Sequence, residues 1–233
     1  MISTLAIRSL MRTVAPLAAC LVVANAAQGA TLTARGNEPG WQLEMTEAAI
    51  TFRTQDGETL SMEPVPAAIA SDAGQTYSGV AGEKAFTLTI ADRSCSDTMT
   101  GMPYPKTVTL VIGERQLAGC GGDPASLLHA DWKIVAIGGK AIVEKSVPTI
   151  TFAPDGDIYG NASCNRFFGR FALSGEGLTL SEAGMAMMLC EQPLMDQERA
   201  LLAAFGDVNR FEVVSPTELR LLGNGELSID LRK

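Results

Sequence analysis

Thr149-Ile150-Thr151-Phe152-Ala153-Pro154-Asp155-Gly156-Asp157-Ile158-Tyr159-Gly160 is the stretch whose reading decides the fold. Polar and apolar residues alternate over its first four positions. Pro154-Asp155-Gly156 breaks the run and Ile158-Tyr159-Gly160 resumes it. Period-two alternation on both sides of a turn signal predicts a β-hairpin with one buried face and one wet face. The same pattern stands earlier in the chain, where Ala49-Ile50-Thr51-Phe52-Arg53 runs into Gln55-Asp56-Gly57.

Working outward, the alternation recurs. Trp41-Gln42-Leu43-Glu44-Met45, Phe86-Thr87-Leu88-Thr89-Ile90 and Val108-Thr109-Leu110-Val111-Ile112 read as strands. In them Thr87, Thr89, Thr107 and Thr109 face out while Phe86, Leu88, Ile90, Val108 and Leu110 face in. The stretch from Pro64 to Gly82, rich in Ala, Ser and Gly, reads as loop. Further on, Trp132-Lys133-Ile134-Val135 and Leu178-Thr179-Leu180 read as strands. Leu219–Leu222 and Leu227–Leu231 flank Asn224-Gly225, which predicts a hairpin closed by a type I′ turn. One helix is predicted between Pro193 and Asn209, where Leu201, Leu202, Phe205 and Val208 recur at helical spacing and Gly206 marks the stop.

Gly121-Gly122-Asp123-Pro124 is the strongest punctuation in mid-chain and places a boundary near residue 125. The expectation is a mainly β chain of two small antiparallel β-barrel-like domains, residues 27–125 and 126–233, the second with one short helix. Trp41 and Trp132 each anchor a core at the start of the first strand of their half. The halves echo each other, and both internal duplication and shared hairpin chemistry account for that.

Residues 1–26 read as a secretory signal peptide. Arg8 and Arg12 precede an apolar run from Thr13 to Ala27, no acidic residue stands before Glu38, and Ala24-Asn25-Ala26 supplies an A-x-A cleavage site. The run is too short for a transmembrane helix. Leu17-Ala18-Ala19-Cys20 resembles a lipobox, so the alternative is lipidation at Cys20. The chain is therefore expected in the periplasm, or at the outer membrane if Cys20 carries a lipid anchor.

The net charge is −8, and cleavage after Ala26 removes Arg8 and Arg12 and takes it to −10. Such acidity disfavours nucleic acid. His129 is the one histidine, which excludes two-His metal sites. It reads as a linker residue, with a base or pH sensor as the functional alternative. No G-x-S-x-G is present, and Gly138-Gly139-Lys140 lacks the rest of a P-loop. No catalytic residue, metal site or cofactor is assigned. Beyond Cys20 four cysteines remain, which in an exported chain read as disulfides. Three connectivities exist. The separations and the boundary favour Cys95–Cys120 and Cys164–Cys190, one in each half, each loop contributing about 3.5 kcal/mol in the chain-entropy picture.

The second half resembles the META domain (HslJ-like) family of bacterial envelope proteins. The resemblance is carried by Trp132, Pro148–Phe152, Asp155-Gly156, Gly160-Asn161-Ala162-Ser163-Cys164-Asn165-Arg166-Phe167 with Gly169, Met188-Leu189-Cys190, Glu198 and the hairpin at 219–231. The family often has Thr before the Met-x-Cys, where this chain has Met185-Ala186-Met187. The first half resembles an uncharacterised bacterial envelope domain. That match rests on Gly36-Asn37-Glu38-Pro39-Gly40-Trp41, Cys95-Ser96-Asp97-Thr98-Met99, Tyr104-Pro105 and Leu117-Ala118-Gly119-Cys120. These resemblances imply small barrel-like domains, lipocalin-like in the second half, and stress-related roles with no established enzymatic reaction.

Asn165 and Arg166 are candidates for a binding surface, and equally for holding a turn. Met185, Met187, Met188 and Met195 around Cys190 read as core filling, with Cu(I) ligation as the rival. Asp155-Gly156-Asp157 reads as a turn rather than a Ca²⁺ site. The functional expectation is a non-enzymatic envelope protein that binds another envelope component. Two alternatives stand beside it. One is a carrier of a small apolar ligand, which inward crowding of Phe152, Phe167, Phe168 and Phe171 would exclude. The other is an inhibitor of a peptidoglycan-degrading enzyme.

Overall fold

A computed structural model describes residues 31–175 and 177–233. The predicted signal peptide and Cys20 lie outside the described residues. The chain first forms β1 (Leu32–Asn37), β2 (Gly40–Met45), β3 (Ile50–Thr54), β4 (Thr59–Met62), β5 (Ile69–Ser71), β6 (Gly74–Ala81), β7 (Lys84–Ala91), β8 (Cys95–Ser96), β9 (Pro103–Tyr104), β10 (Lys106–Ile112) and β11 (Arg115–Gly121). A one-turn helix, α1 (Ala125–Leu128), follows. Then come β12 (Asp131–Ile137), β13 (Lys140–Ala141), β14 (Thr149–Phe152), β15 (Asp157–Asn161), β16 (Arg166–Ser174), β17 (Gly177–Met185), α2 (Gln192–Asp207), β18 (Val208–Ser215), β19 (Glu218–Gly223) and β20 (Ser228–Arg232).

Nine strands make an antiparallel half-barrel in the order β4-β3-β2-β1-β11-β10-β7-β6-β5. A second antiparallel sheet runs β17-β16-β15-β14-β12-β20-β19-β18, with β13 attached to β12. It is nearly closed, because β17 lies alongside β18. The fold is mainly β, as the alternation implies. Both disulfides take the expected pairing, Cys95–Cys120 and Cys164–Cys190.

The half-barrel core is built from inward residues of alternating strands: Leu43, Ile50, Phe52, Phe86, Leu88, Val108 and Leu110. Trp41 lies on β2, the second strand and not the first, with its ring 6.1 Å from Phe52. Its indole passes over Gly36 on β1 and Gly119 on β11. A Cβ at Gly36 would sit 2.3 Å from Nε1, and one at Gly119 2.6 Å from the ring. That close approach explains why glycine flanks both motif segments.

The second sheet encloses the larger of the two cores. Trp132, Phe152, Phe167, Phe171, Phe205 and Phe211 fill its interior with Ile150, Ile158, Leu221 and Ile229. Trp132 Nε1 donates to the Leu128 carbonyl at 2.8 Å, so α1 also closes one edge of this core. Helix α2 covers one side. Gln197, Glu198, Leu201, Ala204 and Phe205 form its buried face, one stripe of a 3.6-residue period.

Three local expectations change. Residues 64–82 are not one loop, since β5 and β6 form there. These strands are mostly exposed, so no apolar alternation marks them. Backbone pairing to β7 carries β6, reinforced by hydroxyl pairs Thr76–Thr89 (3.2 Å) and Ser78–Thr87 (3.3 Å). The β19–β20 connection is wider than a two-residue type I′ turn. Gly223 N–H donates to Leu227, and Asn224 accepts from Asn209 Nδ2 at 2.9 Å, which spends its side chain on β18. Helix α2 runs through Gly206 to Asp207 and passes directly into β18.

Phe205→Ala would open a cavity under α2, and we expect it to cost about 3–5 kcal/mol in urea unfolding. Val214→Ala on the exposed face should stay within about 0.5 kcal/mol.

A braced apolar loop as candidate interaction site

The connection from β17 to α2, residues 186–191, carries the most exposed large apolar side chains among the described residues. Met187 is 94% exposed and Leu189 92%, with Met188 also exposed. Loops with such tips are normally mobile, but this one is fixed at several points. Cys190 is bonded to Cys164. Asn165 Oδ1 accepts from the Met188 N–H at 2.7 Å and its Nδ2 donates to the Met188 carbonyl at 3.2 Å. Ala186 N–H donates to the Arg166 carbonyl at 2.9 Å.

The brace rests on two polar residues of α2 that are almost fully buried. Glu198 accepts from the Asn165 backbone N–H at 2.6 Å and from Asn165 Nδ2 at 3.0 Å. Gln197 Oε1 accepts from Val143 N–H at 2.7 Å, while its Nε2 donates to Ser146 and Ser163 hydroxyls at 3.0 and 2.6 Å. Ser163 has φ +115°, a left-handed conformation costing a non-glycine residue about 1–3 kcal/mol. Its hydroxyl bond to Gln197 and its N–H bond to Asn161 Oδ1 (2.8 Å) hold it there. Helix α2 thus pins three segments: 143–146, 161–165 and, through Asn165, 186–191.

The structure separates the two residues proposed together as a surface. Asn165 is 3% exposed and faces inward, where it holds the loop. Arg166 is exposed and, among the described residues, has no carboxylate partner. On the same outer face stand Phe168 and its cross-strand neighbour Tyr159, both more than half exposed. Of the four phenylalanines whose inward crowding would exclude a carrier, Phe168 thus stands outside. Phe152, Phe167 and Phe171 face inward, and Phe168 instead lies over Gly184, where a Cβ would come within 2.6 Å of its ring. Period two along Arg166–Phe171 already placed Phe168 opposite Phe167 and Phe171, and that was the missed signal.

Met185 packs against the core, as core filling requires, but Met187 and Met188 do not. Cys190 is a disulfide sulfur and not a thiolate. His129 is not a free linker side chain. Its ring sits edge-on to Phe171 at 6.3 Å, and Nε2 is sealed from solvent with no hydrogen-bond partner among the described residues. Asp155 and Asp157 form a turn, with Arg170 donating to Asp157 Oδ1 at 2.8 Å and to the Asp155 carbonyl at 3.0 Å. Among the described residues no three His, Cys, Asp or Glu side chains converge as a metal site.

The motif residues of the first half also converge. Asp97, 6% exposed, accepts from Thr100 N–H (2.8 Å) and Oγ1 (2.9 Å), Met99 N–H (3.1 Å) and Asn37 Nδ2 (3.2 Å). Burial acts to raise its pKa, but the hydrogen bonds from Thr100, Asn37 and Met99 outweigh it and hold the carboxyl below its ordinary value. The Arg35 guanidinium lies 5.1 Å above the Tyr104 ring and 3.9 Å from Asp97.

Residues 125–232 match the family model of the META domain. No curated protein matches the chain. Two solved structures are similar over part of it. An NMR structure of a protein from Burkholderia xenovorans is 22% identical, covers 46% of this chain and 84% of its own, and gives a TM-score of 0.39. A second NMR structure is 25% identical, covers 48% and 94%, and gives 0.37.

Glu198→Ala would leave the Asn165 backbone N–H unpaired in a buried site and take from its Nδ2 one of two acceptors. We expect a loss of about 1–3 kcal/mol and faster amide exchange at Met188, read by hydrogen-exchange mass spectrometry. With its folded pKa lowered, Asp97 contributes its full stabilisation above the ordinary carboxylate pKa. That contribution fades as pH falls through the lowered value. Asp97→Asn should therefore flatten the acid side of a pH–Tm curve.

Proposed function

We propose that this chain, with a META domain over residues 125–232, is a non-catalytic binding protein of the bacterial cell envelope. We place it in the periplasm, exported by its first 26 residues, and assign the 186–191 loop as its docking element. The observation that carries the reading is exposure combined with bracing. Met187 and Leu189 project into solvent from a loop tied by a disulfide, by Asn165 and by a strand hydrogen bond. Burying a fully exposed Met or Leu contributes about 1.5–3 kcal/mol. A loop already ordered loses little entropy when it docks, so more of that energy appears as affinity.

The occupant we assign is a protein with an apolar pocket. Phe168, Tyr159 and Arg166 supply the aromatic and arginine anchors that recur at protein interfaces. The net charge of −10 after signal removal opposes an anionic membrane surface. The carrier reading loses support, because aromatic side chains fill the interior of the second sheet. Inhibition of a peptidoglycan-degrading enzyme is the second reading, favoured by the same feature: a rigid protruding loop is the shape that enters an enzyme cleft.

The test is photo-crosslinking in intact cells from position 187, with a control probe at Ser78 on the half-barrel. We expect one discrete adduct from position 187. It should be absent from Ser78 and lost when Leu189→Ser is added, with Tm unchanged. Equal adducts from both positions, or flotation of the purified chain with phosphatidylglycerol vesicles in place of an adduct, would overturn the assignment. A lysis-protection assay with the identified partner separates the inhibitor reading.

A further inference from the structure

A second cleft lies away from the docking loop, about 570 Å³ in volume, between the β1–β2–β3 face and residues 173–175 at the end of β16. Its size falls within the range of small-molecule sites. Strand register places Arg35 opposite Gln42, and Gln42 opposite Arg53, so the three side chains form one row across three strands. The strand spacing separates the two arginine Cα atoms by about 10 Å. A neighbouring hollow of about 410 Å³ shares this same row, so the row forms the centre of one longer groove.

Both guanidiniums are only loosely engaged. Arg53 stands 4.0 Å from Glu44, and Arg35 approaches Asp97 at 3.9 Å through Nε alone. The lone pairs of Asp97 are already taken by Thr100, Met99 and Asn37. The Tyr104 ring beneath Arg35 fixes its direction. Tyr104 is itself 5% exposed and lines the cleft, and its hydroxyl has no hydrogen-bond partner among the described residues. Tyr104 thus walls the cleft beneath one of two loosely paired guanidiniums, donors from which a ligand carboxylate can accept.

We propose that this cleft binds a small monocarboxylate with an apolar body, in the form of a short peptide with a free C-terminus. The carboxylate would take Arg35 and Arg53, the Gln42 side chain would bond the terminal amide, and Met102 and Leu173 would wall the apolar part. The lining sets two arginines against two carboxylates, which favours a ligand of single negative charge. Glu44 and Asp123 also face the cleft and repel a dianion such as phosphate.

The test is titration of the full mature chain with N-acetyl-alanyl-alanine, its C-terminal amide and inorganic phosphate, followed by ¹H–¹⁵N NMR. We expect saturable shifts at Arg35, Gln42 and Arg53 with the free acid, and at least tenfold weaker binding of the amide. Arg53→Gln, at an exposed position with no part in the core, should weaken the free acid at least tenfold without changing Tm. Equal binding of acid and amide, phosphate binding as tight as the acid, or no saturable shift would each overturn the proposal. The Met187 crosslinking result does not bear on this site.

Discussion

Glu198, a buried carboxylate with no ion-pair partner among the described residues, constrains the second half of the molecule. It must be solvated by something when α2 packs over the sheet, because an unsatisfied charged group in a core is far more costly than a missing apolar contact. Asn165 supplies the solvation twice, from backbone and side chain. Once its Nδ2 and N–H are committed to Glu198, its remaining oxygen is turned toward Met188. One electrostatic requirement thus fixes the helix, the strained Ser163 turn and the exposed loop in a single arrangement. The disulfide between Cys164 and Cys190 closes the same circuit covalently. Removing the carboxylate would therefore loosen the loop before it unfolded the sheet.

The first half solves a similar problem by a different route. Its strands β8 and β9 have two residues each, too short to persist by pairing alone. Asp97 gathers the N–H groups of the turn between them and reaches Asn37 on β1, and Cys95 is bonded to Cys120 on β11. Both halves thus hold a short irregular segment against a sheet with one acid-centred hydrogen-bond cluster and one disulfide. That parallel is physical. It is as compatible with a common requirement of small cores as with duplication.

Much of this was legible in the sequence. The alternating strands, the cysteine pairing and the 192–207 helix follow from period, spacing and punctuation, which act locally. What was hidden depends on partners far away in the chain. Asn165 was ambiguous between surface and turn because its partner, Glu198, stands 33 residues on, and nothing near Asn165 announces it. Strands β5 and β6 escaped because backbone pairing and threonine hydroxyls hold them, with no apolar alternation to read. The exposure of Met187 and Leu189 ran against composition, since Met and Leu beside a cysteine ordinarily read as core. Gln197 was missed because a lone glutamine on a helix carries no signal until the loops it holds are known.

The boundary near residue 125 separates two sheets, but it does not separate two cores. Met102, Tyr104 and Cys120 precede it, yet they pack with Leu128, Trp132 and Phe211 in the core of the second sheet. The 95–104 segment therefore acts as a wedge, bonded covalently to β11 on one side and buried against β18 on the other. Its Met102 and Tyr104 line one cleft together with Leu173 at the end of β16 and the Arg35–Gln42–Arg53 row. Asp97 ties that wedge to β1 through Asn37. The carboxylate that orders the turn thus sits in the same segment as Met102 and Tyr104, which line the cleft.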